Sequence, residues 1–353
     1  MSSPRCDQPF VTGSVDTPVG AVPQISSRLT FADHWGTFKV RGNVGRMSYK
    51  VDPGLYALGH PNRESEVLVT ANYKLTFDGL RSALAGRNLW ILVLDTKGIN
   101  VWCAAGKGTF GTQELVQRIQ ASGLDRVVDH RRLILPQLGA PGVAAHQVKK
   151  LARFEVIYGP IRAVDLPAFM DNGHKATSAM RRKAFPLGER AVLIPVEFVS
   201  AFKWFLVIAL SFLILGGLLG KEGFLESALD HGLLAVLALF GALIAGAVLT
   251  PLLLPWLPGR AFSLKGLWLG LIWAGILVVL IYAGFGPWEG RVGVFSWLLM
   301  SPAVAAFLAM NFTGASTYTS LSGVRREMKV AVPLQIAAAG VGLCVWIGSL
   351  LFG

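Results

Sequence analysis

The pattern of apolar and polar positions changes character near residue 200. Before that point short apolar runs alternate with polar stretches; after it, long apolar blocks lie between widely spaced charges. The charge-free gaps are 17 residues between Lys203 and Lys221, 28 between His231 and Arg260, 23 between Lys265 and Glu289, 33 between Arg291 and Arg325, and 24 after Lys329. About 20 apolar residues make a helix long enough to cross a bilayer. The gaps predict five transmembrane helices, at 200–219, 233–254, 265–285, 293–312 and 331–351. In the first region the runs are shorter. Residues 66–72 (EVLVTAN) and 88–95 (NLWILVLD) predict buried strands, with 126–128 and 133–135 as short candidates and 154–158 as another strand. Helices are predicted at 74–84, at 112–121 with Thr112 as its cap, at 142–151, and at 166–171. Strands alternating with helices predict a mostly parallel, Rossmann-like α/β sheet. Residues 34–60 read as antiparallel strands on an edge. The domains expected are a loose tail at 1–28, an α/β domain at 29–180, a linker at 181–199 and an all-α membrane domain at 200–353.

Charge sharpens the division. Residues 1–200 carry 25 of the 33 Lys and Arg and 16 of the 21 Asp and Glu. Charged residues are 15% of the chain, against about 25% in a soluble domain, which excludes a fully soluble enzyme and a disordered chain. Arg181, Arg182, Lys183 and Arg190 precede the first helix, Arg260 and Lys265 join helices 2 and 3, and Arg325, Arg326 and Lys329 join helices 4 and 5. Glu222, Glu226 and Asp230 lie on the other side. The positive-inside rule places the α/β domain in the cytoplasm and the C-terminus outside, in an inner membrane. Trp204, Trp256 and Trp288 are placed as interface anchors. The predicted spans hold no buried charge, which argues against a transporter; Gly216, Gly217, Gly241 and Gly246 read as close helix contacts. The N-terminus lacks the apolar core of a signal peptide. The basic balance suits anionic lipids, and no basic-aromatic pattern suggests nucleic acid.

Three distant cysteines, Cys6, Cys103 and Cys344, make no disulfide framework. Cys6 reads as incidental, and Cys344, among the apolar residues of helix 5, as a small core residue rather than a reactive thiol. Cys103 lies in a loop after the strand ending at Asp95, among the strand-end loops where α/β sheets bind ligands. Asn100 is a good N-cap, and Val101–Ala105 can form a short helix stopped by glycine. Cys103 then occupies the third helical position. The helix end and Lys107 would favour its thiolate; equally, Cys103 can pack as a small apolar side chain beside Trp102. A phosphate-loop reading of GKGT fails, because Gly108 stands where Ser or Thr is needed and Trp102 where Gly is. Gly106, Gly108 and Gly111 have dinucleotide spacing but do not follow a strand. Neither zinc-ligand spacing nor a nucleophile elbow occurs.

The run Asn100-Val101-Trp102-Cys103-Ala104-Ala105-Gly106-Lys107 resembles the signature of the HgcA family, membrane-anchored corrinoid proteins of microbial mercury methylation. Residues 69–78 (VTANYKLTFD) and the order of an α/β domain before five membrane helices fit the same family. The resemblance implies a cobalamin-type corrinoid over the strand ends, beneath a cap helix that supplies Cys103 as the lower axial ligand of cobalt. Asn100 would cap that helix, Val101 would belong to it, and Trp102 would position it. Ala104, Ala105 and Gly106 would let its backbone approach the corrin. Lys107 would pair with the corrinoid's periphery or stand solvated. Thr70, Asn72, Gln137, Gly139, Gly142, Tyr158 and Gly159 are the strand-end residues expected at corrin amides or the nucleotide tail. The implied activity is methyl transfer from a donor of one-carbon metabolism, through cobalt, to Hg(II) thiolate. The implied partner is HgcB, a ferredoxin-like protein with two 4Fe–4S clusters. Two alternatives stand beside it: a methyl carrier of the acetyl-CoA pathway type, and a non-enzymatic membrane-anchored sensing protein.

Overall fold

The computed structural model describes residues 4–221, 223–284, 291–314 and 321–352. The chain divides into two compact units, Met1–Val40 with Val44–Ala184, and Arg41–Asn43 with Phe185–Gly353. The first holds one seven-stranded sheet: β1 (Val11–Thr17), β2 (Gly20–Ile25), β3 (Gly54–Leu58), β4 (Val67–Ala71), β5 (Leu89–Leu94), β6 (Arg132–Leu135) and β7 (Glu155–Tyr158). Their order is β1-β2-β3-β5-β4-β6-β7. The four strands β5, β4, β6 and β7 are parallel, β2 and β3 pair in parallel, and β3 runs against β5. This is the mostly parallel sheet that the sequence predicts. The apolar runs of β4 and β5 follow from burial on both faces. Trp90, Leu92 and Leu94 enter one core, with Phe110, Leu115 and Ile119; Leu89, Ile91 and Val93 enter the other, with Phe77 and Leu80.

Around the sheet lie α1 (Phe31–Arg41), α2 (Lys74–Ala83), α3 (Val101–Lys107), α4 (Thr112–Ser122), α5 (Leu124–Val127), α6 (Ala145–Ala152) and α7 (Leu166–Asp171). Five expectations are corrected. Residues 11–25, expected within a loose tail, are the β1–β2 hairpin; their polar positions are those of an exposed edge, where alternation is diluted. Residues 31–41, expected as strand in large part, are helical. Their start is a reciprocal cap, in which the Thr30 amide donates to the Asp33 carboxylate (2.9 Å) and the Asp33 amide to the Thr30 hydroxyl (3.4 Å). Within the same stretch β3 is a strand as expected, but an interior one. Residues 126–127, a strand candidate, close α5. Thr112 does not cap α4; Gly111 does, and the Thr112 hydroxyl accepts the Ala144 amide at 2.8 Å.

Among the described residues of the second unit, five helices are long and apolar enough to span a membrane: Leu187–Leu219, Phe224–Leu253, Phe262–Tyr282, Gly293–Gly314 and Ser322–Phe352. They are numbered spans 1 to 5. Span 1 absorbs residues 187–199, expected as linker, and span 2 begins nine residues before position 233. The spans therefore include charges that the sequence reading left outside. Two are buried near span ends: Arg190 donates to the Pro251 and Leu252 carbonyls (3.1 and 2.8 Å), and Lys265 to those of Leu254 and Leu257. Both satisfy carbonyls that the end of span 2 leaves open. The glycines are close contacts as expected: a Cβ on Gly216 would lie 3.0 Å from the Gly232 nitrogen, and one on Gly246 2.6 Å from the Ala305 oxygen. Trp204 and Trp256 are exposed, as anchors require; Trp288 lies outside the described residues.

Candidate functional site

The parallel strands end together, and the loop after β5 is built from that edge. Asn72, just beyond β4, is buried, and its side chain organises the neighbouring loop. Its Oδ1 accepts the Thr96 amide (3.1 Å), the Thr96 hydroxyl (2.9 Å) and the Gly98 amide (3.0 Å), and its Nδ2 donates to Asp95 (3.1 Å). Lys97 and Gly98 both adopt positive φ, 61° and 74°, which turns the chain into α3. Asn100 caps that helix: the Cys103 amide donates to its Oδ1 at 2.9 Å. The helix ends at Gly108, in the left-handed conformation at φ 80°.

The two sides of α3 differ. Val101, Ala104 and Ala105 are buried in the sheet core. Trp102 and Cys103 are half-buried, and Gly106 and Lys107 are exposed. With four-residue spacing, Trp102 lies beside Gly106 and Cys103 beside Lys107 on one outward stripe. A Cβ on Gly106 would meet nothing within 4 Å. The small side chains of Ala104 and Ala105 therefore serve packing on the sheet, and Gly106 is the small residue on the open face.

Gly139 and Gly142 lie beneath the end of α3. A Cβ on Gly139 would stand 2.5 Å from the Phe110 ring, and one on Gly142 would run into the Phe110 carbonyl oxygen and lie 3.1 Å from the Ala105 Cα. Tyr158 ties the same loop to β7, donating to the Val143 carbonyl at 2.7 Å. The Gly159 amide donates to the Leu135 carbonyl at 2.8 Å, and Gln137 accepts from Arg181. Thr70 is buried within β4. Of the strand-end residues singled out in the sequence, Asn72, Gly139, Gly142 and Tyr158 thus shape the support of α3.

Burial pushes the Cys103 thiol up, against the pull of the Lys107 charge, the Asn100 hydrogen bond and the Arg46 charge. The favoured thiolate is not what this geometry produces: desolvation outweighs the nearby charges and the Asn100 hydrogen bond. Arg46 carries no sequence signal toward this site, being 57 positions away. It arrives because residues 49–51 run antiparallel to 72–74, through the Lys50–Tyr73 bridge and a Val51 amide bond to the Asn72 carbonyl (2.9 Å). Its guanidinium lies 5.9 Å from the Tyr73 ring centre. Nearby, α1 and α2 share a buried ionic group that sequence reading did not find. Lys74 bridges Asp33 and Asp78 (2.5 and 2.6 Å), and Arg81, fully buried, bridges the same pair (2.9 and 2.8 Å). Among the described residues no cluster of His, Cys, Asp and Glu could hold a metal ion without further ligands.

A protein-family model described as CO dehydrogenase/acetyl-CoA synthase delta subunit, CdhD, matches residues 44–170. The chain is also similar to acetyl-CoA decarbonylase/synthase complex subunit gamma of Methanopyrus kandleri, 30% identical over 128 residues, 36% of this chain and 27% of that protein. The subunit of the same description from Methanocaldococcus jannaschii is 35% identical over 97 residues, 27% of this chain and 20% of that protein. That from Archaeoglobus fulgidus is 30% identical over 130 residues. The chain spans about a quarter of the length of these curated relatives.

Proposed function

We propose that the protein is a membrane-anchored corrinoid methyltransferase that passes a methyl group to Hg(II), with Cys103 as the lower axial ligand of cobalt. The observation that carries this reading is the outward stripe of α3. A half-buried thiol stands on a rigidly seated helix at the ends of parallel strands, and beside it Gly106 leaves open space for a flat macrocycle. These residues fit a corrinoid: a soft sulfur ligand, a glycine beside it that opens the stripe at position 106, and Lys107 and Arg46 for peripheral acidic or phosphate groups. When bound, the corrinoid supplies a cobalt that carries the methyl group. The protein's own contribution is positional and electronic. Asn100 fixes the cysteine backbone, Gly139 and Gly142 seat the helix, and the two nearby cations favour loss of the thiol proton when sulfur takes a metal. A thiolate is a strong donor, which suits delivery of methyl to an electrophile such as thiol-bound Hg(II).

The match of residues 44–170 to the acetyl-CoA synthase delta family supports the coarser part of the reading, methyl carriage. It also favours a second reading, in which the acceptor is that of the acetyl-CoA pathway. The chain has three cysteines, far apart in sequence. A separate low-potential electron donor, of the ferredoxin-like HgcB kind, is part of either proposal, as is a methyl donor of one-carbon metabolism. The basic residues at 181–190, 260–265 and 325–329 support a cytoplasmic α/β unit in the inner membrane.

The test is anaerobic loading of the full chain, in detergent, with cobalamin, wild type beside Cys103→Ala. Retained corrinoid whose cobalt absorption bands shift only when Cys103 is present is expected; corrinoid retained with identical spectra would remove the sulfur ligand. The methyl-loaded protein is then given Hg(II) thiolate. Methylmercury supports the first reading, and its absence, with methyl still passed to an acetyl-CoA synthase, supports the second.

A further inference from the structure

Helix α1 turns its aromatic side outward. Its inner side carries Asp33, Gly36 and Val40, all buried. Its outer side carries Phe31, Trp35 and Phe38, which are 83%, 50% and 67% exposed. At 3.6 residues per turn these three share one stripe, opposite the buried one. Trp35 and Phe38 stack on each other in the open, with ring centres 5.4 Å apart. Val44 and Met47, a few residues beyond the helix, are exposed as well. Scattered exposed apolar residues are ordinary, but an ordered stripe of large ones marks a surface that is covered in use. The stripe is also held firmly. Asp33, on the inner side, is bound by Lys74 and Arg81 of α2, and a Cβ on Gly36 would lie 2.5 Å from the Tyr49 hydroxyl.

Charge identifies what covers it. From Ser26 to Val51 the chain has five cations, Arg28, Lys39, Arg41, Arg46 and Lys50, and one acid, Asp33. That acid is buried and ion-paired, so it offers nothing to a partner. Arg28, Lys39 and Lys50 are exposed. On the helix, Lys39 flanks the aromatic stripe on one side and His34 on the other. Aromatic residues along the middle with basic residues at the margins is the pattern of a helix lying in a membrane interface, its rings among the acyl boundary and its cations at the head groups. A second copy fits poorly. Pairing of like surfaces would set these cations against one another with no exposed acid to meet them.

We propose that the outer face of α1 docks on the surface of an anionic bilayer, with Phe31, Trp35 and Phe38 inserted at the level of the head groups and Arg28, Lys39 and Lys50 on lipid phosphates. The α/β unit ends at Ala184 and span 1 begins at Leu187, so the face meets the bilayer as a tethered surface and a weak affinity suffices. The docked edge would include the neighbourhood of α3, because the Met47 carbonyl lies 3.3 Å from the place of a Cβ on Gly98, in the loop that leads into that helix.

The test uses the full chain in nanodiscs of phosphatidylcholine alone, or of equal phosphatidylcholine and phosphatidylglycerol. Side-chain oxidation by hydroxyl radical is read by peptide mass spectrometry. Oxidation of Trp35 and Met47 in the wild type is expected to fall about tenfold in the anionic discs. Leu151, exposed on α6 across the sheet from α2, should be oxidised equally in both. High salt should restore the oxidation of Trp35, because the cations act through screened charge. Arg28→Glu combined with Lys39→Glu should restore it too, at an unchanged melting temperature, since both side chains are exposed. Equal oxidation of Trp35 in the two kinds of disc would overturn the proposal in the wild type alone. Protection that survives in the double variant, or that appears only in discs holding two chains, would overturn it as well, the last by giving the face to a second copy.

Discussion

Cys103 sits where four influences compete, and their order decides its behaviour. Burial raises the thiol, while Asn100, Lys107 and Arg46 lower it, and burial wins. Asn100→Ala removes one lowering influence and the helix cap together. It should cost about 1 kcal/mol of stability, and the pH midpoint for alkylation of Cys103 should move upward; an unmoved midpoint would count against a role for the cap in holding the sulfur. Gly142 and Gly106 offer a paired comparison. Gly142→Ala drives a methyl group into Phe110 and should destabilise by about 1–3 kcal/mol while loosening corrinoid retention. Gly106→Ala enters open space, so stability should hold within about 0.5 kcal/mol, yet the added methyl stands on the stripe proposed to face the macrocycle. Retention that falls for Gly106→Ala at unchanged melting temperature separates the open face from the packed one; unchanged retention would place the ligand elsewhere. The cap and the cysteine position were legible in sequence, because a cap and a glycine stop are local signals. The rank of burial over the nearby charges was not, since both the desolvation and the Arg46 charge come from neighbours that only the folded chain brings near.

At the scale of elements, the bond between α1 and α2 is ionic and buried. Burial alone would raise the Asp33 carboxyl, but hydrogen bonds from Lys74 and the Thr30 amide, with the charges of Lys74 and Arg81, hold it well below the usual carboxylate range. A carboxyl lowered on folding contributes stability that is full above its unfolded pKa and is lost as pH falls below about 4. The melting temperature of the wild type should therefore decline on acidification through this range, more steeply than that of Asp33→Asn. Removing one member of the buried group leaves the others uncompensated, so Arg81→Met should cost about 3–5 kcal/mol, read by chemical denaturation. Strands β4 and β5 and helices α2 and α4 were legible because their runs are long and doubly buried or amphipathic. The β1–β2 hairpin was not, because an edge strand such as VTGSVDT exposes too many positions to keep an apolar rhythm. Helix α1 carried a readable start in Thr30 and Asp33, but Phe31, Trp35 and Phe38 are exposed and so reversed the usual meaning of apolar positions.

Along the chain an α/β unit is followed, among the described residues, by five helices apolar enough to span a membrane. The spans were legible from charge-free gaps to within a turn or two at most ends. Span 1 was shortened in the reading because its extent was taken from the charge-free gap between Lys203 and Lys221 and Arg190 was placed in the approach to it, although Arg190 caps the end of span 2 and belongs to the helix. Basic residues on alternate connections predict sidedness. A reporter fused after span 5 should be active only outside the cytoplasm, and one inserted between spans 2 and 3 only inside; the reverse pattern would invert the assignment. The raised thiol has a further consequence for the reactivity of the newly made chain. Oxidants and alkylating agents attack thiolates, and a cysteine facing outward as an anion would be damaged between synthesis and maturation. Burial that raises Cys103 leaves less of it as thiolate, so oxidants and alkylating agents should react more slowly at this position than at an exposed cysteine such as Cys6.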